Sequence, residues 1–338
     1  MRAISGLVAA FCLAALTACG SGAASQEASQ EASPAASPAA SREGAAQEQT
    51  RVVQHDAGSS TVPASPKRIV SVSVTLTGHL LALDAPVVAS QATPPSPIVD
   101  GNGFFTQWAD VAVKRGVQVA YQGFEPALEK VAALKPDLIV GSGSGADDSS
   151  KVYDQLSKIA PTLIYRYDQL SWQELTAKLG TALGLDASKV VGTYDARVAE
   201  VKAKIKPPAQ EAVLLRVNPT EIPIFTPVSA QGRLLASLGL KVRELPAGME
   251  GGAVQDEGGA RSDIVPIATE NITRAIGDGS LFFVSHEPAE IEATQAKPLW
   301  KDLPAVKDKR VYDLGLDSFR LDYFSATNIV DRLEKQFA

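Results

Sequence analysis

The stretch ASKVVGTYDARVAEVKAKI, residues 187–205, decides how this chain is organised. Its pattern is helical, it has no glycine after Gly192, and the pair Pro207-Pro208 ends it because proline cannot continue a helix. The stretch lies near the midpoint of the part of the chain that follows a low-complexity N-terminal segment. A helix in this position divides that part into two halves and joins them.

On the N-terminal side of this helix, short β-branched runs alternate with helical patterns. The sequence predicts strands at 68–74, 87–89, 136–140 and 162–165. It predicts helices at 76–83, 104–114, 125–134, 147–159 and 171–183, the first capped by Thr75 and the last by Ser171. Alternation of this kind is typical of a mostly parallel sheet with helices on its faces.

The alternation restarts on the C-terminal side. Strands are predicted at 212–217, 281–285 and 310–314, and helices at 231–238, 269–276, 287–295 and 318–337. The predicted fold class is therefore α/β, with two Rossmann-like α/β lobes joined by one long α-helix. The predicted boundaries are 51–186 for the N-terminal lobe, 187–206 for the connecting helix and 207–338 for the C-terminal lobe.

The first 18 residues have the composition of a secretion signal. Arg2 precedes an apolar run that ends in Leu16-Thr17-Ala18-Cys19 and is too short to span a membrane. The pattern resembles a bacterial lipoprotein signal, 1–18, with Cys19 as the lipid acceptor. Ordinary secretion with an incidental cysteine is the alternative.

Residues 19–50 are dominated by Ala, Ser, Glu, Gln, Gly and Pro. A segment of this composition cannot bury enough apolar surface to fold, so it is predicted to be a disordered tether. The folded part would then lie outside the cytoplasm, on the outer face of the cell membrane, held by its lipid anchor.

Composition excludes several kinds of site. Both cysteines, Cys12 and Cys19, lie in or beside the signal, so the folded part has no cysteine for a disulfide, a thiolate nucleophile or a zinc site. Its histidines, His55, His79 and His286, are far apart in sequence, which disfavours an imidazole metal site. The formal net charge is -6 and no basic run suggests nucleic-acid binding.

The motifs of common enzymes are also missing. No G-x-S-x-G elbow occurs, and the loop Gly141-Ser142-Gly143-Ser144-Gly145 lacks both the Lys-Ser/Thr end of a P-loop and dinucleotide-binding spacing. We interpret this loop as the edge of a cleft. An extracytoplasmic enzyme is the disfavoured alternative, and no catalytic residue is assigned.

Four longer phrases resemble a known family. They are RIVSVSVTLTGHLLALDAPVVASQAT (68–93), YDQLSKIAPT (153–162), TPVSAQG (226–232) and FRLDYFSA (319–326). From about Pro66 onward the chain resembles the ferric-enterobactin binding proteins of bacterial siderophore ABC importers.

The resemblance implies a class III periplasmic-binding-protein fold. It implies a monomer that captures a ferric catecholate siderophore between its lobes and delivers it to the transmembrane subunits of an ABC permease. Another cargo on the same fold, namely haem, a cobalamin or a hydroxamate siderophore, is the alternative.

The chemistry of a ferric tris-catecholate explains which side chains such a site needs. Catechol oxygens fill every coordination position of the iron, so no protein ligand, metal site or resident cofactor is expected. Arginine suits the anion because its planar fork donates to phenolate oxygens and stacks on rings. With the family as a guide, the predicted ligand-binding residues are Arg115, Arg261, Arg320, Trp108, Phe225, Phe319 and Tyr323. A solvated surface position is the alternative for each arginine, and a position in the core is the alternative for Trp108.

Phe225 departs from the family, in which we expect tryptophan before the Thr226-Pro227 pair. Its smaller ring, without an indole N–H, makes a related catecholate an alternative to enterobactin itself.

The family also implies contact with the permease through one acidic residue on each lobe. Glu129 and Glu270 occupy the matching helix starts. Carboxylates at helix N-termini also complement the helix dipole, so ordinary helix stabilisation is the alternative.

Overall fold

A computed structural model describes residues 49–168, 170–249, 255–256, 259–260 and 263–338. The predicted signal peptide, Cys19, nearly all of the predicted tether and Arg261 lie outside these residues. In the described part, no helix is both long and apolar enough to cross a membrane. The described residues all belong to one contact unit, Gln47–Ala338.

The N-terminal lobe is built on a parallel sheet. Its strands are β1 (Thr50–His55), β2 (Gly58–Pro63), β3 (Ile69–Ser71), β4 (Val87–Ala92), β5 (Gln118–Gln122), β6 (Leu138–Ser142) and β7 (Thr162–Tyr165). β1 and β2 form an antiparallel hairpin, and the other strands form a sheet in the order β5-β4-β3-β6-β7 with every neighbour parallel. The helices are α1 (Val74–Ala82), α2 (Thr106–Lys114), α3 (Leu128–Ala133), α4 (Tyr153–Leu156) and α5 (Trp172–Leu183).

The C-terminal lobe follows α6 (Ser188–Lys204) and has a mixed sheet. Its strands are β8 (Ala212–Leu215), β9 (Ile222–Phe225), β10 (Gln255–Asp256), β11 (Gly259–Ala260), β12 (Ile264–Ile267), β13 (Ser280–Phe283) and β14 (Val311–Asp313). The order of its main sheet is β12-β9-β8-β13-β14, with β9 antiparallel to both its neighbours. The helices are α7 (Ala230–Ser237), α8 (Ile272–Ile276), α9 (Pro288–Gln295), α10 (Pro298–Lys301), α11 (Pro304–Lys307) and α12 (Tyr323–Phe337).

Helix α6 carries the chain from the first sheet to the second, as the sequence predicted. It packs along α12, and Arg197 of α6 forms ion pairs with Asp331 (2.8 Å) and Glu334 of α12. Lys204 also pairs with Glu334, at 3.0 Å. Helix α12 packs in addition against α1 and α2, so it touches both lobes.

Serine side chains determine where two important helices begin. Ser73 has an extended backbone and its hydroxyl accepts a hydrogen bond from the Leu76 N–H, so Ser73 caps α1. The prediction of Thr75 as the cap is wrong, since Thr75 is already the second helical residue. Ser171 caps α5 as predicted, and Glu174 completes a capping box.

Several predicted elements differ from the observed ones. The second sheet is mixed rather than mostly parallel. The predicted helix 147–159 is a 3₁₀ turn, Ser150–Val152, followed by the short α4. The predicted helix 318–337 begins only at Tyr323, after a 3₁₀ turn at Leu316–Ser318.

Candidate ligand-binding cleft

An open cleft lies between the two lobes. Its N-terminal wall comes from the chain that follows β3 and β7, because the carboxyl ends of parallel strands share one edge of a sheet. The opposite wall comes from the end of β9, the start of α7 and residues 319–321. The cleft is therefore placed where ligands bind in many α/β proteins.

Two arginines meet at the ring of Phe319, which lines the cleft; Arg320 also lines the cleft, whereas Arg216 is not among the lining residues. The guanidinium carbon of Arg216 lies 5.3 Å from the Phe319 ring centroid and that of Arg320 lies 5.8 Å from it. Arg320 also lies over Phe105 of the N-terminal lobe, at 5.4 Å. In the described part of the chain, no ion pair with a carboxylate is formed by either arginine.

The pKa of Arg216 reflects this arrangement. Burial and, next, the positive charge of Arg320 lower the pKa of Arg216, although a guanidinium stays protonated at any physiological pH. The Glu290 carboxylate acts in the opposite direction on the pKa of Arg216, but it forms no ion pair with Arg216 in the described residues. Two cations held close together without an ion-paired carboxylate favour an anionic ligand.

Arg320 lies next to a hydrogen-bond network, and its positive charge acts on Tyr167. The Tyr167 hydroxyl donates to Asp147 Oδ1 at 3.3 Å. Buried Asp147 also accepts from Ser73 Oγ at 2.5 Å. Burial and the Asp147 charge raise the pKa of Tyr167 above its usual range, so the phenol stays protonated.

Segment 319–321 is fixed from the other side by α7. Gln231 Nε2 donates to the carbonyl oxygens of Ser318 (2.8 Å) and Phe319 (2.7 Å). Phe319 also packs edge to face on Phe225, with ring centroids 6.1 Å apart. Both rings line the cleft.

Three helices begin at this cleft, since Thr75 of α1, Trp172 of α5 and Ala230 of α7 line it. The N-terminus of each helix carries a partial positive charge. The helix dipoles therefore add to the field of the arginines.

The structure does not bring two predicted ligand-binding residues to the cleft. Trp108 is 0% exposed and packs against Phe104 and Phe105 in the core of the N-terminal lobe. Arg115 donates to the Leu81 carbonyl at 2.9 Å and pairs with Asp84, so it lies at the opposite end of α1 from Thr75. The resemblance to the family suggested Arg115, and helical spacing with Phe104 and Phe105 suggested Trp108, but neither signal specified which face or end of the helix meets the cleft.

The remaining predicted residues have varied positions. Tyr323 begins α12, packs on Trp172 with ring centroids 6.2 Å apart, and is not among the residues that line the cleft. Glu129 in α3 and Glu270 in the turn before α8 are both exposed. Arg261 lies outside the described residues, two positions before Asp263, which lines the cleft.

Neither Arg216 nor Tyr167 was predicted as a site residue from the sequence. One signal was available for Arg216, because it immediately follows β8 and so lies at the carboxyl edge of the second sheet.

Comparisons with known proteins agree with this architecture. The family model described as "Periplasmic binding protein" matches residues 69–317. The ferric enterobactin-binding periplasmic protein FepB of Escherichia coli O6:H1 (strain CFT073) is 43% identical over 297 residues, which cover 86% of this chain and 92% of that protein. The probable siderophore-binding lipoprotein YfiY of Bacillus subtilis (strain 168) is 33% identical over 203 residues, 58% of each chain.

Solved structures give the same picture. Holo-ViuP has a TM-score of 0.75 and 33% identity, and the match covers 85% of this chain and 95% of that one. A periplasmic solute binding protein from Mycobacterium smegmatis has a TM-score of 0.67 at 22% identity, which supports the fold alone. The predicted fold class, with two α/β lobes and one long connecting helix, is confirmed. On the evidence of its fold, the family model and a relative of 43% identity, the chain belongs to the periplasmic binding protein family and is an extracytoplasmic binding protein rather than an enzyme.

Proposed function

We propose that this chain captures a ferric catecholate siderophore of the enterobactin type in the inter-lobe cleft and delivers it to an ABC permease for iron uptake. The observation that carries the proposal is the pair Arg216 and Arg320, which converge on Phe319 without carboxylate partners in the described part of the chain. The names of the relatives, a ferric enterobactin-binding protein and a probable siderophore-binding lipoprotein, support the same cargo.

The chemistry of this cargo fits the cleft. A ferric tris-catecholate is an anion whose outer surface consists of aromatic rings and phenolate oxygens. Guanidinium groups donate charge-assisted hydrogen bonds to the oxygens, and Phe225 and Phe319 offer ring edges and faces for the catechols. The iron is cargo whose coordination positions the catechol oxygens fill, so it needs no ligand from the protein.

Arg261 is proposed as a further cation of the site. It stands two positions before Asp263, which lines the cleft, and two residues of chain span at most about 7 Å. A third guanidinium would match the high negative charge of a ferric tris-catecholate.

Delivery requires a contact with the permease and a position at the membrane. We propose that exposed Glu129 and Glu270, one on each lobe, meet basic residues of the transmembrane subunits. We also propose that Cys19 carries a lipid, that residues up to about 50 act as a tether, and that the protein works as a monomer on the outer face of the membrane.

A titration of intrinsic fluorescence tests the proposed cargo. Trp172 lines the cleft, whereas Trp108 and Trp300 are buried elsewhere, so cargo in the cleft should quench the Trp172 emission. The probes are ferric enterobactin, iron(III) tris(catecholate), a ferric hydroxamate and haemin. We expect saturable quenching by the two catecholates at much lower concentration than by the others, and loss of most of that signal in Trp172→Phe. Tighter binding of the hydroxamate or of haemin would contradict the proposal.

A further inference from the structure

The N-terminal wall of the cleft carries two polar side chains that the proposed function leaves unused. Thr75 and His79 lie four residues apart on α1, so they share one face of the helix. Both line the cleft opposite the arginine-bearing wall, and they are only 7% and 1% exposed.

The Thr75 hydroxyl lacks a partner. Its Oγ1 is buried and makes no hydrogen bond within the described part of the chain. The backbone N–H of the same residue is held by Asp147 Oδ2 at 3.3 Å, which fixes the residue at the start of α1. Buried hydroxyls are nearly always hydrogen-bonded, so this one is poised for a group that enters the cleft.

The network around His79 determines which of its nitrogens can act. Nδ1 lies 2.8 Å from Thr176 Oγ1, and the Thr176 hydroxyl donates its proton to the Trp172 carbonyl at 2.7 Å. Thr176 Oγ1 must therefore accept from Nδ1–H. Burial lowers the pKa of His79 to about 3, so the ring is neutral and Nε2 carries a lone pair, with no hydrogen-bond partner in the described residues.

We infer that Thr75 and His79 form a neutral hydrogen-bonding subsite that binds an N–H or O–H donor on the scaffold of the siderophore. A neutral imidazole nitrogen repels an anionic phenolate oxygen and accepts from a donor. The anionic chelate would then face Arg216 and Arg320, while the amide or hydroxyl groups that link the catechols face α1. The subsite rests on the proposed function and adds to it an orientation of the cargo.

The test compares two iron complexes that differ in the scaffold. Ferric enterobactin has amide N–H groups, whereas iron(III) tris(catecholate), made from catechol itself, has none. We expect Thr75→Val and His79→Phe each to weaken the binding of ferric enterobactin by about tenfold and to change the binding of tris(catecholate) by less than twofold. Thr75→Ser keeps the hydroxyl and should bind both probes like the wild type. Thr193→Val, at an exposed position of α6, is the matched control.

The outcomes distinguish a failure of the proposed function from a failure of the subsite alone. If the wild type binds neither complex, the proposed function fails and the subsite fails with it. If the wild type binds both complexes and Thr75→Val binds both equally well, only the subsite is refuted. Equal losses for the two complexes, or a loss in Thr75→Ser as large as in Thr75→Val, would also overturn it, because neither depends on a scaffold donor.

Discussion

Arg216→Met should raise the stability of the ligand-free protein and lower its affinity for the siderophore. The guanidinium carbons of Arg216 and Arg320 lie 5.3 and 5.8 Å from the Phe319 centroid, so they are at most about 11 Å apart. At an effective dielectric constant of about 20 this separation gives a repulsion of about 1.5 kcal/mol, which partial exposure reduces to about 1 kcal/mol. Methionine keeps an unbranched apolar chain against Phe319 and removes the charge.

The expected result is a rise of about 2–3 °C in the melting temperature of the ligand-free protein. The affinity for ferric enterobactin should fall about 10- to 100-fold, because a hydrogen bond to a charged group contributes about 1.5–3 kcal/mol. Calorimetry gives the melting temperature and fluorescence quenching gives the affinity. Raising the salt concentration should reduce the affinity of the wild type for ferric enterobactin more than that of the variant.

Arg274→Met is the control, since Arg274 is exposed on α8 and donates to the Ala247 carbonyl, away from the cleft. It should leave the affinity unchanged. A ligand-free Arg216→Met protein that melts below the wild type, or that binds ferric enterobactin as tightly, would refute the reasoning.

Three further predictions concern the lobe contact and the permease. Burial raises the pKa of Asp322, the N-cap of α12, to about 6; a raised carboxyl pKa favours the folded state at low pH, and this contribution is lost as pH rises from about 4 to 6. Asp322→Asn should therefore gain stability over the wild type across that window in urea unfolding, and parallel pH profiles would contradict this. Gly78→Ala places a Cβ in steric conflict with Asp322 Oδ2 and should cost about 1–3 kcal/mol, whereas Gly192→Ala, with open space around it on α6, should stabilise the protein by about 0.5–1 kcal/mol. Equal unfolding midpoints for the two variants would exclude the close contact. The double change Glu129→Lys and Glu270→Lys should abolish iron uptake in cells and leave siderophore binding intact; normal uptake would rule out the docking role.

The periodicity of the sequence was sufficient to predict the elements whose local signals are strong. The connecting helix was predicted as 187–205 and is observed as Ser188–Lys204, because its apolar spacing is regular and prolines end it. β9 was missed because its sequence, IPIF, contains Pro223, and proline argues against a strand. In the structure Pro223 pairs opposite Pro266, and its carbonyl still accepts from the Arg216 N–H at 2.9 Å.

The cleft was predictable only in part, because it is assembled from residues distant in sequence. Phe319 and Arg320 lie in a phrase that resembles a family, Phe225 immediately precedes another such phrase, and the structure gathers all three residues at one site. The pairing of Arg216 with Arg320 joins two residues about a hundred positions apart, and no local pattern encodes it. The ligand-binding and docking roles of all these residues stay predictions.

Helix α12 has a mechanical consequence beyond its place in the C-terminal lobe. It is clamped to α6 by the Arg197 and Lys204 ion pairs, and it also rests on α1 and α2. The chain passes between the lobes through α6, and the contacts of α12 with α1 and α2 form a second connection between them. We therefore expect the distance between the lobes to change little when cargo binds. The cleft would then select cargo by size and charge, and the permease would recognise the loaded protein without a large rotation of one lobe.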